Sequence, residues 1–269
     1  MSFPLQDRRS PAEERRRAAP GTTEPSETWI DGGPVDDGSR RRQGPGTGRG
    51  GSGRGGRNER ARLPPDVADE LGRAGGQAQV QRNAARLQEA ARAYGEERYR
   101  DALRLVEPLA RRLASAAAVR ELHGLCLYRL GRWKAAIGEL SAAERSSGGM
   151  EHHPVIADCH RALGHHGEVD RLWDELRHGS APAGVVTEGR IVTASSLADR
   201  GRLGEAIRLL EEGPVGVRKP RLHHLRLWYA LAALHEQAGD VPRARQLFGQ
   251  VVDHAADFAD ARQRYRAIS

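Results

Sequence analysis

Hydrophobic positions are distributed unevenly along this 269-residue chain. Residues 1 to 62 carry no helical or strand periodicity and are rich in Pro, Gly, Ser and charge. Such a stretch buries too little apolar surface to offset the entropy of ordering, and it predicts a disordered arm. From Leu63 the pattern changes. Leu63-Pro64-Pro65-Asp66-Val67-Ala68-Asp69-Glu70-Leu71-Gly72 places proline early, acids in the first turns and apolar residues at 63, 67 and 71, which predicts a short helix packed on the segment beyond it. Gly75 to Gln81 reads as a linker, so the boundaries fall at 1–62, 63–81 and 82–269.

Beyond residue 82 one local pattern recurs. A residue, usually small, in a second helix stands at Ala102, Ala136, Leu172, Ala206 and Ala244, spaced by 34, 36, 34 and 38 residues. Ahead of the last four lie Gly131-Arg132-Trp133, Gly167-Glu168-Val169, Gly201-Arg202-Leu203 and Gly239-Asp240-Val241. Each is a turn glycine followed two residues later by an apolar helix-starter. Four residues past each anchor comes a larger apolar side chain, Val106, Leu140, Leu176, Leu210 or Phe248, forming the buried stripe of the second helix. Seven residues before the turn glycines stand Gly124, His160, Ala194 and Ala232, where paired helices would cross.

These units resemble the tetratricopeptide-repeat family, most fully in the last, where Trp228, Leu231, Ala232, Gly239, Ala244 and Phe248 occupy the signature places. The resemblance, to small actinobacterial proteins of this kind, covers about 185 residues. It implies an all-α fold: an α-solenoid of about five helix-turn-helix units. The first unit departs from the pattern, with Glu97 where the turn glycine belongs, and the third places His160 and Leu172 where small residues are expected, which predicts a splayed pair. Asp257 to Ile268, with Phe258, Ala261, Tyr265 and Ile268 on one face, would form the C-terminal capping helix.

The resemblance further implies a concave surface lined by the first helix of each pair, holding a peptide or protein partner. Carried onto this chain, its groove positions are Leu87, Ala91 and Tyr94, then Glu121, Leu125, Tyr128 and Arg129, then Arg161 and His165. Ser195 and Asp199 come next, and finally Arg226, Tyr229, Ala233 and Glu236. Tyr128, Arg129, Arg161, Arg226 and Tyr229 are the leading contact candidates, because aromatic and Arg side chains dominate binding hot spots. The Lys and Asn pattern by which the family clamps a terminal carboxylate is absent.

Charge refines this picture. The net +7 is concentrated in one tract: residues 1–37 hold five Arg against eight acids, whereas 38–62 hold eight Arg against Glu59 alone. Within that tract Arg49, Arg54 and Arg57 lie among Gly-Gly steps resembling the RGG elements of RNA-binding segments, so weak, non-specific contact with RNA or DNA is the alternative function. Only Lys134 and Lys219 among 43 basic residues are lysine, so abundant Arg also reflects a general bias in this sequence. Trp29-Ile30, in an acidic setting, is a candidate docking motif. Val217 to Arg226 forms a second basic stretch that could meet phosphate or an acidic partner.

Catalytic chemistry finds no footing. There is no Gly-rich phosphate loop after a strand, no nucleophile elbow and no convincing carboxylate pair. His152, His153, His160, His165 and His166 cluster near Cys159 but lack metal-ligand spacing. No cofactor, metal or catalytic residue is therefore expected. Cys126 and Cys159 fall in neighbouring predicted helices as small packing residues, and no signal or membrane-length apolar run is visible. A cytoplasmic setting is expected.

Overall fold

The computed structural model describes residues 64–268. Among these, twelve α-helices follow one another: α1 Pro65–Gly75, α2 Val80–Gly95, α3 Tyr99–Arg112, α4 Ala117–Arg129, α5 Trp133–Ser147 and α6 His153–Ala162. The series continues with α7 His166–His178, α8 Ala183–Asp199, α9 Leu203–Glu211, α10 Leu222–Gln237, α11 Val241–His254 and α12 Ala261–Ala267. The helices α2 to α11 pair as five helix-turn-helix units, and α12 packs on the last. The arm, with Trp29-Ile30 and Arg49, Arg54 and Arg57, lies outside the described residues.

All five turns share one hydrogen-bond scheme. The residue opening the second helix donates its backbone N–H to the carbonyl five residues back: Arg98 to Ala93, Arg132 to Leu127, His165 to His160, Arg202 to Leu197 and Asp240 to His235, at 2.8–2.9 Å. That geometry requires a left-handed residue just before the donor. Gly131, Gly164, Gly201 and Gly239 fill the position with φ of 71 to 79°, and Glu97 adopts it at φ 58° despite its side chain.

The third unit corrects the sequence reading. Its turn is made by Gly164, while Gly167 lies inside α7. Counting from Gly164, the small crossing residue is Ala157, not His160, and the anchor is Val169, not Leu172. The crossing positions are then uniformly small, Ala90, Gly124, Ala157, Ala194 and Ala232, and all are buried. The anchors Ala102, Ala136, Val169, Ala206 and Ala244 are each fully buried. The displacement of three residues is close to one helical turn, so Leu172 and Leu176 still fall on the buried face, which is why the displaced register also satisfies the apolar pattern. At Gly124 a Cβ would lie 2.6 Å from Leu140 Cγ, showing how closely α4 and α5 approach.

Gly164→Ala should therefore cost about 1–2 kcal/mol, because a Cβ disfavours the left-handed conformation. Gly167→Ala should be neutral or stabilising, since nothing lies within 4 Å of an added Cβ and alanine favours helix. Thermal melts of both variants check this, and the reverse order would reinstate the turn at Gly167.

The ends are tied in. Leu71 of α1 is fully buried, and the Glu70 carboxylate accepts N–H bonds from Ala117 and Ala118, capping α4. The expected linker contains a 3-10 turn, Gln77–Gln79, and α2 begins at Val80. At the other end Ala261 is buried while Phe258, Tyr265 and Ile268 pack against the last unit.

Candidate functional site

First helices of successive units pack on one another at three of the four junctions, whereas successive second helices make no comparable contact. The row of first helices therefore occupies the inside of the curve. Counted from the turn residue, the groove positions that the resemblance implies lie two, three, six, ten and thirteen back, and the tenth is buried in four units, at Leu87, Pro154, Ile191 and Tyr229.

Many of the polar groups there join one unit to the next. The Tyr128 hydroxyl, buried on α4, donates to Asp158 on α6 at 2.7 Å. The other oxygen of Asp158 accepts from Arg161 Nε at 2.7 Å, and Arg161 Nη1 donates to Asp199 on α8 at 2.8 Å. One chain of charge-assisted bonds thus crosses units two, three and four. Burial and the adjacent Asp158 carboxylate push the Tyr128 phenol well up, and the Asp158 and Asp199 carboxylates hold Arg161 firmly charged against its burial.

Farther along, Arg226 on α10 is buried and donates from Nη1 to Glu188 on α8 at 2.8 Å. The second carboxylate oxygen of Glu188 and Nε of Arg226 are buried without partners. Burial raises the Glu188 carboxyl to about 7, outweighing the pull of Arg226. Tyr229 is 2% exposed, its hydroxyl donating to Asp260 and accepting from Arg264, and its ring meeting Phe248 and Phe258 edge-on. Burial first, then Asp260, pushes its phenol up to about 12.

The five sequence candidates therefore separate. Tyr128, Arg226 and Tyr229 are interior residues that tie helices together. Arg129 and Arg161 are partly exposed, Arg129 lying 4.5 Å above the Tyr99 ring and donating to its hydroxyl. The surface left open along the row comprises Ala91, Glu121, Leu125, Ser195, Asp199, Ala233 and Glu236 at graded exposure. In the third unit the corrected register puts Asp158 and Arg161 on the row, and His165 at the start of α7 instead. Two residues that matter to the row, Asp158 and Glu188, had no sequence signal of their own. Asp158 would have been found by counting six back from Gly164.

Elsewhere, burial raises the Cys126 thiol to about 12 and pushes Cys159 up likewise, so neither is a thiolate near neutral pH. His223, in the second basic stretch, is driven down to about 4 by burial and then by its neighbour His224, Arg221 and Arg226. Among the described residues no group of three or more His, Cys, Asp or Glu is placed to hold a metal ion. No described helix is long and apolar enough to cross a membrane.

The sequence matches no protein-family model and no curated protein. Solved structures are similar in fold. The thermophilic TPR protein TTC0263 of Thermus thermophilus superposes with a TM-score of 0.54 at 16% identity, covering 69% of this chain and 98% of that one. The apo form of the quorum sensor NprR from B. thuringiensis gives 0.58 at 14% identity, covering 75% of this chain; the match spans 62% of NprR. The fold is that of a tetratricopeptide-repeat array.

Proposed function

We propose that this tetratricopeptide-repeat array is a non-catalytic scaffold holding a peptide or protein along its inner face. The observation that carries the reading is the division of labour along that row. Ion pairs and phenol-carboxylate bonds, including that of Asp158 in the third unit, fix one unit against the next, while in the other four units the position six back from the turn, Ala91, Leu125, Ser195 and Ala233, offers small or apolar side chains beside Glu121 and the ion-paired Asp199 and Glu236. A preorganised row of that kind suits an extended chain that lays apolar side chains into it and meets charge at the edges. Arg129 and Arg161 would add contacts at its rim. The protonated, buried thiols of Cys126 and Cys159 suit a cytoplasmic setting.

Affinity capture from the native host with the full chain tests this. Ala91→Arg and Ala233→Arg, which set a long cation on the row, should each weaken the captured partner at least about tenfold, or ~1.4 kcal/mol, with little change in melting temperature. Retention of the partner by both variants, with loss of binding on removing residues 38–62 and recovery of RNA or DNA, would favour the alternative reading suggested by Arg49, Arg54 and Arg57.

A further inference from the structure

The third unit has the shortest first helix of the array. Helix α6 has 10 residues, whereas α2, α4, α8 and α10 have 16, 13, 17 and 16. Each ends two residues before its turn, so the shortfall lies at the start of α6. The connection 148–152 runs there instead, beside a cleft of about 590 Å³ lined by α5, α6 and α7, with Ile137, Ile156 and Leu172 among its apolar walls. At this junction alone the backbones of the consecutive first helices, α4 and α6, stay apart, and the Tyr128–Asp158 bond reaches between them.

His153, the first residue of α6, lines this cleft. Its Nδ1 is 3.0 Å from Glu144 Oε1 on α5, and its Nε2 is 3.1 Å from Glu175 Oε2 on α7. A neutral imidazole has one N–H and can donate to one carboxylate, whereas the imidazolium donates to both. The same Glu144 oxygen accepts the His152 N–H at 2.8 Å, and Arg171 holds Glu175 from its other side. The remaining charged or titratable groups lining the cleft are Arg145 on α5 and His160 on α6, and His152, beside His153 in the chain, is in turn reached by Glu121 of α4.

We propose that His153 is a pH-responsive clasp joining the second and third units: protonated, it ties α5 to α7 across the cleft, and on losing its proton it leaves one carboxylate facing a nitrogen lone pair, so that the junction loosens. Burial opposes the charged ring, but Glu144 and Glu175 together outweigh it and raise His153 above its ordinary 6.5. A raised folded-state value gives stability that is complete below 6.5 and is lost as pH climbs through the raised value. At the acid end, burial pushes Glu175 up but the bonds from His153 and Arg171 prevail and hold it below its ordinary 4.5. The clasp therefore closes in mildly acid solution and opens as pH climbs through the raised His153 value. Neither Glu144 nor Glu175, on α5 and α7, belongs to the row of first helices.

The test uses the full chain, followed by hydrogen exchange corrected for intrinsic rates. Exchange over residues 144–178 should rise at least about fivefold between pH ~6 and ~9 relative to residues 222–254. Glu175→Gln should move that transition to lower pH, and His153→Gln should abolish it. Nitrogen-detected NMR should show both His153 ring nitrogens protonated at pH ~6.5. A singly protonated ring at that pH, or the same exchange profile in wild type and His153→Gln, would overturn the proposal.

Discussion

Ala136→Arg should unfold the second unit, while Arg132→Ala, four residues earlier, leaves the melting temperature almost unchanged. Ala136 is fully buried on α5, which approaches α4 so closely that Gly124 cannot accept a Cβ beside Leu140. Forcing extra volume into such a crossing costs ~1–3 kcal/mol, and a buried unpaired guanidinium adds ~3–5 kcal/mol. Each unit is stabilised by its neighbours, so the loss should spread to both flanking units and lower the cooperativity of the melt. Arg132 is exposed at the start of the same helix, where truncation removes only surface charge. Equal melting temperatures would show that the register of the second unit is wrong.

Arg226→Leu should destabilise the array by ~3 kcal/mol or more at pH ~8 and by much less at pH ~5.5. The partner left behind is Glu188, buried on α8 with one oxygen already unsatisfied. Its folded value, raised from 4.5 to about 7, means that the native state holds a proton that the unfolded chain has released. Stability consequently falls as pH rises from 4.5 to about 7, and levels off above it. Removing Arg226 takes away the one group opposing that shift, so the variant loses most where Glu188 must be charged. The double replacement Glu188→Leu with Arg226→Leu should recover most of the loss, because no buried charge remains. Denaturant melts at the two pH values decide, and an equal penalty at both would contradict the placement of this pair.

The repeat pattern made the architecture legible because it expresses backbone geometry directly. Left-handed turn residues, small crossing residues and apolar stripes are each demanded by local sterics, and four of the five turns fall where the pattern puts them, including the one that Glu97 makes without glycine. The third unit misled for a physical reason. Gly164 is followed by His165-His166 with no apolar starter, whereas Gly167-Glu168-Val169 copies the expected triplet inside the helix. The inner row was less legible. Tyr128, Arg226 and Tyr229 have the chemistry of contact residues, but whether such side chains face a partner or bridge to the next unit depends on acids 30 or more residues away, at Asp158, Glu188 and Asp260. Those pairings arise only when the units stack. His153 is a similar case: its surroundings come from α5 and α7, and nothing in its immediate sequence announces two carboxylates.

We propose the row of first helices as the recognition surface. Hydrogen-exchange footprinting of the full chain with its captured partner tests it most directly. Protection concentrated on exposed positions of α2, α4, α8 and α10, around Ala91, Leu125, Ser195 and Ala233, is the expected result. Protection confined to the second helices or to residues 1–62, with the inner row exchanging as in the free chain, would contradict it.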